Sequence, residues 1–354
     1  MALADDLNLS PAYNPDTLGH TTTPASVRTN ILDPGFDLTL RPMRYPQFFE
    51  MYKDAIKNTW TVEEIDFSDD LTDLDRKLMP AEKHMINRLV AFFATGDSIV
   101  ANNLVLNLYE HINAPEAHLY LAKQMWEEAN HCMSFEYVLE TFPIDREAAY
   151  AQHVDVPSMA RKEDFEVSFI RRMTEETIDI NTTEGKQDFV RNLVAYNVIL
   201  EGIWFYSGFM VALSFRQRNL LRNFGSLVDW IVRDESLHLK FGINLILTVL
   251  EENEDLQTPE FANEIRQMIL DAVEMEEQYN HDLLPNGILG LNANYINQYV
   301  KYLADRRLEE LGFETEYNVS NPAKWMATAN DTLQLVNFFE STNTSYEVNA
   351  TSTK

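Results

Sequence analysis

The sequence predicts an all-α protein, a helical bundle with additional helices packed around it. Three observations carry this. Of 354 residues only 11 are glycine and 13 proline, too few to punctuate a β-rich chain. Apolar residues in 81–110, 186–217 and 223–252 recur at helical spacing, in part on every face, which marks central helices. Alternation of period two is nearly absent.

The elements follow in order. Residues 1–27 are rich in Thr, Asn, Pro and Asp without a period, and read as a flexible N-terminal arm. A helix is expected near Tyr45–Asn58, then a mixed run to residue 78. Pro80 stands at a first helical position and opens a long helix through AFFATGDSIVANNL. Pro115 opens the next, which Pro143 closes. Shorter helices are expected over 145–152 and 158–178, and long ones over 186–217 and 223–252. Thr258 starts a helix to about 283 and Asn292 one to about 312. Residues 340–354 are polar and aperiodic and read as a flexible tail, leaving 28–339 as the helical domain.

Composition narrows the function. At 45% hydrophobic residues the protein can bury a sizeable core. A net charge of −28 predicts repulsion from nucleic acid and from anionic membranes. The single cysteine, Cys132, excludes an intramolecular disulfide and a cysteine-based zinc site, and fits a cytoplasmic protein. The start, MALADDLNLS, has neither a basic nor an apolar leader segment. Asn197–Phe215 is about long enough to span a bilayer, but it carries Glu201 and has no second span beside it. It reads as a buried helix.

Two Glu-x-x-His patterns occur, Glu128-Ala-Asn-His131 and Glu235-Ser-Leu-His238. Residues i and i+3 share a helix face, so each pair can converge on one point. A carboxylate with an imidazole suits iron or manganese. One such pair arises readily by chance. The surrounding pattern is more specific: Asp97 and Glu201 each lie in an otherwise apolar helix, where an isolated ionised carboxylate is expensive unless paired or metal-bound. Asp97 precedes Glu128 by 31 residues and Glu201 precedes Glu235 by 34. The same arrangement thus occurs twice, a lone acid on one helix and Glu-x-x-His on the next. Two facing helix pairs would gather four carboxylates and two histidines, the ligand set of a dinuclear metal-carboxylate bundle.

The runs FFATGDSIVANNL, WEEANHCMSF, ILEGIWFYSGF and VRDESLHLKFG resemble the radical-generating small subunit of class I ribonucleotide reductase, in the right order over about residues 40–340. The resemblance implies a ferritin-like bundle in which Asp97, Glu128 and His131 bind one metal and Glu201, Glu235 and His238 the other, with some glutamates bridging. It implies O₂ activation at that centre and delivery of a one-electron oxidant to a separate large catalytic subunit, where ribonucleotides become deoxyribonucleotides. It also implies a homodimer. Phe205, Phe209 and Ile231 match the apolar pocket around the metals. Trp60, Asp234 and the tail residue Tyr346 match an electron relay, with Asp234 linking Trp60 to His131. Trp230 falls near an aromatic used for electron entry in phenylalanine-bearing relatives.

One departure stands out. Most of the family carries the radical tyrosine four residues after the first histidine, and here that residue is Phe135. Phenylalanine has no ionisable O–H. Tyr137 is near in sequence but points roughly 160° away from the ligand face at helical period. The resemblance therefore implies a phenylalanine-bearing member that keeps the oxidising equivalent in its metals. A manganese–iron pair is expected first, then dimanganese, which Asp97 in place of a common glutamate keeps open, then di-iron. The tail is a second departure, with Val348 nearly alone as an apolar anchor after Tyr346. The alternative is a manganese–iron ligand-binding oxidase acting on its own bound substrate; a ferritin-type metal store fits the length less well.

Overall fold

The computed structural model describes residues 29–175 and 179–326. The expected arm at 1–27, the tail at 340–354 and Tyr346 lie outside the described residues. Among those described the protein is helical, with one isolated bridge between Ile288 and Leu291. The helices are α1 (Pro46–Lys57), α2 (Ser68–Arg76), α3 (Pro80–Asn103), α4 (Pro115–Thr141), α5 (Arg146–Asp155), α6 (Pro157–Glu175), α7 (Thr183–Leu193), α8 (Phe205–Gln217), α9 (Arg222–Glu252), α10 (Pro259–Leu283) and α11 (Ala293–Glu310). The long helices begin where the start signals stand. Pro80, Pro115 and Pro259 occupy first positions. The Thr258 hydroxyl accepts from the Phe261 amide at 3.2 Å, and the Asn292 side chain from Tyr295 at 3.0 Å.

Two features differ from the expectation. Helix α2 falls in the run read as mixed. It is acid-rich with few apolar residues, and its acids serve another helix. Asp70 accepts from the Asn223 and Phe224 amides at 3.2 and 2.6 Å, and Asp73 from Leu221 at 3.0 Å. Two carboxylates thus satisfy the N-terminal amides of α9 and oppose the positive end of its dipole. The second difference is inside the expected helix at 186–217. Helices α7 and α8 are continuous, but Val194–Trp204 between them is wound as a π-helix. Such stretches are rare and concentrate at functional sites. Every residue of 194–204, Glu201 included, is buried.

Helices α3, α4, the 194–217 rod and α9 pack on one another as the central four. Around them α1 packs on α4 and α9, while α6, α10 and α11 cover the rod. Pro80–His111 and Thr183–Gln217 are apolar and long enough to cross a bilayer, yet the most apolar window of the second is 94% buried within the fold. Gly242 on α9 lets the rod come close: a Cβ there would stand 2.2 Å from the Asn197 Cβ. On α11, Arg307 donates Nε–H to the Gly202 carbonyl at 3.0 Å. These contacts hold the π-helical stretch from two sides. Gly242→Ala is expected to lower stability by about 1–3 kcal/mol through overpacking, measured by denaturant titration of the metal-free protein.

Candidate metal centre

Each central helix contributes to one buried cluster. Asp97 comes from α3, Glu128 and His131 from α4, Glu201 from the π-helical stretch, and Glu235 and His238 from α9. All six are 0% exposed. They form two overlapping groups, Asp97–Glu128–His131–Glu235 and Glu128–Glu201–Glu235–His238, each with ligand atoms within 4.8 Å of one another. Glu128 and Glu235 belong to both, the placement that lets a carboxylate bridge two cations. His131 Nδ1 lies 3.1 Å from Glu235 Oε1, and His238 Nδ1 lies 2.9 Å from Glu128 Oε1.

The outward atoms are held by a crossed pair of supports. Asp234 on α9 faces His131 Nε2 on α4 at 3.2 Å, and Glu127 on α4 faces His238 Nε2 on α9 at 3.0 Å. Each Glu-x-x-His is preceded by an acid that serves the other helix's histidine. This fixes both imidazoles with Nδ1 inward, the carboxylate–histidine support that metal sites use. Glu201 is oriented by Asn197 Nδ2 at 2.6 Å and Gln124 Nε2 at 3.1 Å.

The inward atoms have no such partners. Both oxygens of Asp97, Glu128 and Glu235, and Nδ1 of His131 and His238, are buried without a hydrogen bond. An unsatisfied buried polar atom costs about 1–3 kcal/mol, more when charged, so their concentration at one point calls for cations. Protons hold the charges together in their absence. Burial opposes a charge on His131, but its hydrogen bond to Asp234 and the adjacent Glu128 and Glu235 carboxylates overcome it and hold its pKa well above the ordinary imidazole range. Burial likewise opposes a charge on His238, and Glu235, Glu127 and Glu128 overcome it. Burial pushes Asp97 and Glu201 well above the carboxylate range. Burial also acts against Glu128, yet the two imidazoles beside it bring it down to about 2. The Cys132 thiol is pushed up to about 12, by burial and then by the charges of Asp97 and Glu128, so it offers no competing thiolate. The donors are carboxylate oxygens and imidazole nitrogens, which suit manganese and iron.

The family model "Ribonucleotide reductase, small chain" matches residues 37–322. The protein belongs to the ribonucleotide reductase small-chain family. It is 37% identical over 309 residues to the ribonucleoside-diphosphate reductase subunit beta of Chlamydia pneumoniae, covering 87% of this sequence and 89% of that protein. It is 31% identical over 303 residues to a ribonucleoside-diphosphate reductase small chain of Arabidopsis thaliana, covering 84% of each. The solved R2 subunit of Clostridium botulinum ribonucleotide reductase superposes with a TM-score of 0.78 at 28% identity, over 85% of this protein and 94% of that one.

In this small chain the structure brings the other described sequence-derived residues to the same region. Phe135 is fully buried and stacks on Phe93 at 5.0 Å; Phe93 also meets Phe205 at 5.5 Å and Phe209 at 5.2 Å. Ile231 is equally buried. Tyr137 packs on Phe67, 5.2 Å between ring centroids. Trp60, 4% exposed, donates Nε1–H to Asp234 Oδ2 at 2.6 Å, stacks on His131 at 5.9 Å and meets the partly buried Trp230 at 5.4 Å. A continuous line thus runs from Trp230 through Trp60 and Asp234 to His131. Sequence reasoning missed Glu127, Gln124 and Asn197. Glu127 had a signal, since the pattern acid-Glu-x-x-His occurs twice; the other two had none, because amides are common on helices.

Glu127→Gln is expected to weaken metal binding about 10–100-fold, read by competition with a chelator. Metal uptake should release protons. The imidazoles hold protons above their ordinary pKa and compete with cations, so affinity rises with pH as that competitor is removed. Proton release per cation bound, measured in weakly buffered solution, checks the sign; proton uptake would contradict it.

Proposed function

We propose that this protein is the small subunit of ribonucleoside-diphosphate reductase in a form that stores its oxidising equivalent in a manganese–iron centre rather than on a tyrosine. Asp97, Glu128 and His131 would hold one metal and Glu201, Glu235 and His238 the other, with Glu128 and Glu235 within reach of both. Dimanganese, then di-iron, are the alternatives. When bound, the pair supplies a one-electron oxidant after reaction with O₂. The observation that carries the storage reading is Phe135, fully buried and stacked on Phe93, at the position where the family's tyrosine would stand.

The residues of the protein then have distinct tasks. Phe135, Phe205, Phe209 and Ile231 exclude water and present no oxidisable O–H. Asp234 accepts the indole hydrogen of Trp60, so a carboxylate stands ready for the proton when Trp60 gives up an electron. From Trp60 the path continues through Tyr346 in the tail to the large catalytic subunit, where ribonucleotides are reduced. The working unit is a homodimer in the cytoplasm, with no nucleic-acid or membrane partner. The competing ligand-binding oxidase needs a cavity at the metals. Two cavities among the described residues, of about 450 and 340 Å³, are lined by residues of α6, α7 and α10, and by Val190 with residues of α9, α10 and the loops beside them, and none of the six ligands lines either.

Protein produced with both metals should hold two per chain, including manganese, and should support ribonucleotide reduction with its large subunit after exposure to O₂. Iron alone without activity would overturn the storage reading. Glu235→Ala should abolish stoichiometric metal binding. Trp60→Phe should leave the oxidised centre forming, seen by its spectrum, while ribonucleotide reduction drops by orders of magnitude; unchanged turnover would remove Trp60 from the path.

A further inference from the structure

The two metal-facing histidines are each backed by an acid, and each acid has a tryptophan near it. The surroundings of the two indoles are opposite. Trp60 gives its N–H directly to Asp234 at 2.6 Å. Near Glu127 the indole is Trp126, 40% exposed, and a lysine stands between ring and acid. Lys123 Nζ lies 2.7 Å from Glu127 Oε1 and 4.3 Å from the centroid of the Trp126 ring. Lys123 is itself buried, so the ammonium is pinned there by Glu127 and little screened.

We propose that Lys123 closes a second exit for the oxidising equivalent: its ammonium, fixed over Trp126 by Glu127, keeps that indole from being oxidised. Electron transfer is thereby confined to the Trp60 side. This rests on the reading that the metals store an oxidant. The physical reason is a change of sign. A neutral indole ring attracts the cation above it. A ring that has lost an electron repels it at the same distance. At Trp60 the neighbour is a carboxylate, which stabilises the oxidised ring and can take its proton. Without the lysine charge, Trp126 would give one electron to the stored oxidant and its indole N–H proton to water; the neutral indolyl radical would add O₂ as a peroxyl radical, which takes a hydrogen atom from an added thiol to leave a hydroperoxide. The centre would be discharged and the tryptophan marked by added oxygen.

Lys123→Gln removes the charge but can still donate to Glu127, whereas Lys123→Arg keeps the charge. In the metal-free full-length protein, exposed to a one-electron photo-oxidant, Lys123→Gln should raise oxygen incorporation in the Trp126 peptide about tenfold, read by mass spectrometry. Trp60 and Trp230 serve as unchanged references. In the metal-loaded, O₂-treated protein without its large subunit, the same variant should shorten the life of the oxidised centre and mark Trp126. Lys123→Arg should match the unaltered protein, and adding Trp126→Phe to Lys123→Gln should restore the lifetime. Equal Trp126 oxidation with and without the lysine charge overturns the inference. So does a lifetime that stays short in the double variant, which would mean that Lys123 acts through His238 instead. An unaltered protein that forms no oxidised centre would sink the storage reading, and with it the exit-closing role, even where photo-oxidation shows the lysine effect on the indole.

Discussion

The fold depends on one constraint: six ionisable side chains at zero exposure crowd one point, and the inward atoms of five of them, all but Glu201, have no hydrogen bond. The hydrogen bonds that reach these groups come from the outward side. Asp234 and Glu127 cross between α4 and α9 to hold the histidines, and Asn197 and Gln124 hold Glu201. The protein therefore pre-orients its donors and leaves their charge to cations. In the metal-free state protons fill that role, on imidazoles and on the two lone acids.

The π-helical stretch belongs to the same constraint. Its turn widens the rod where Glu201 must reach the centre, and a bulge in a buried helix survives only if its neighbours over-determine it. Gly242 leaves room for Asn197, and Arg307 takes the Gly202 carbonyl. The residue that orients Glu201 is thus also the one pressed against α9, so packing and ligand geometry cannot be tuned separately there. Site and fold share one side chain.

Much of this was legible in the sequence. The helices opened by Pro80, Pro115 and Thr258 announce themselves through start signals that act locally. The lone acids Asp97 and Glu201 stand out because their neighbours are apolar over several turns. What was not legible depends on long-range geometry. Helix α2 has almost no apolar face, and its meaning lies in Asp70 and Asp73 reaching α9 about 150 residues on. The π-winding leaves no mark in composition, since 194–204 reads as an ordinary apolar helix carrying Asn197 and Glu201. Glu127 looked like one more charge beside a candidate ligand, and only the crossing of α4 and α9 shows whom it serves.

Phe135 ties these points to function. A stored oxidant is lost to any nearby group that can give up an electron, so a centre without a radical tyrosine needs inert walls and a single controlled exit. Stacked phenylalanines provide the wall on one side. On the other, both histidine supports lead outward toward an indole, and the two differ in the sign of the charge beside it. Asp234 beside Trp60 favours loss of an electron and proton together, while Lys123 over Trp126 opposes it. The crossed acid supports are nearly symmetric in placement. On the proposed reading, the one-way character of the path comes from what lies beyond them, a carboxylate against an indole N–H on one side and an ammonium over an indole face on the other.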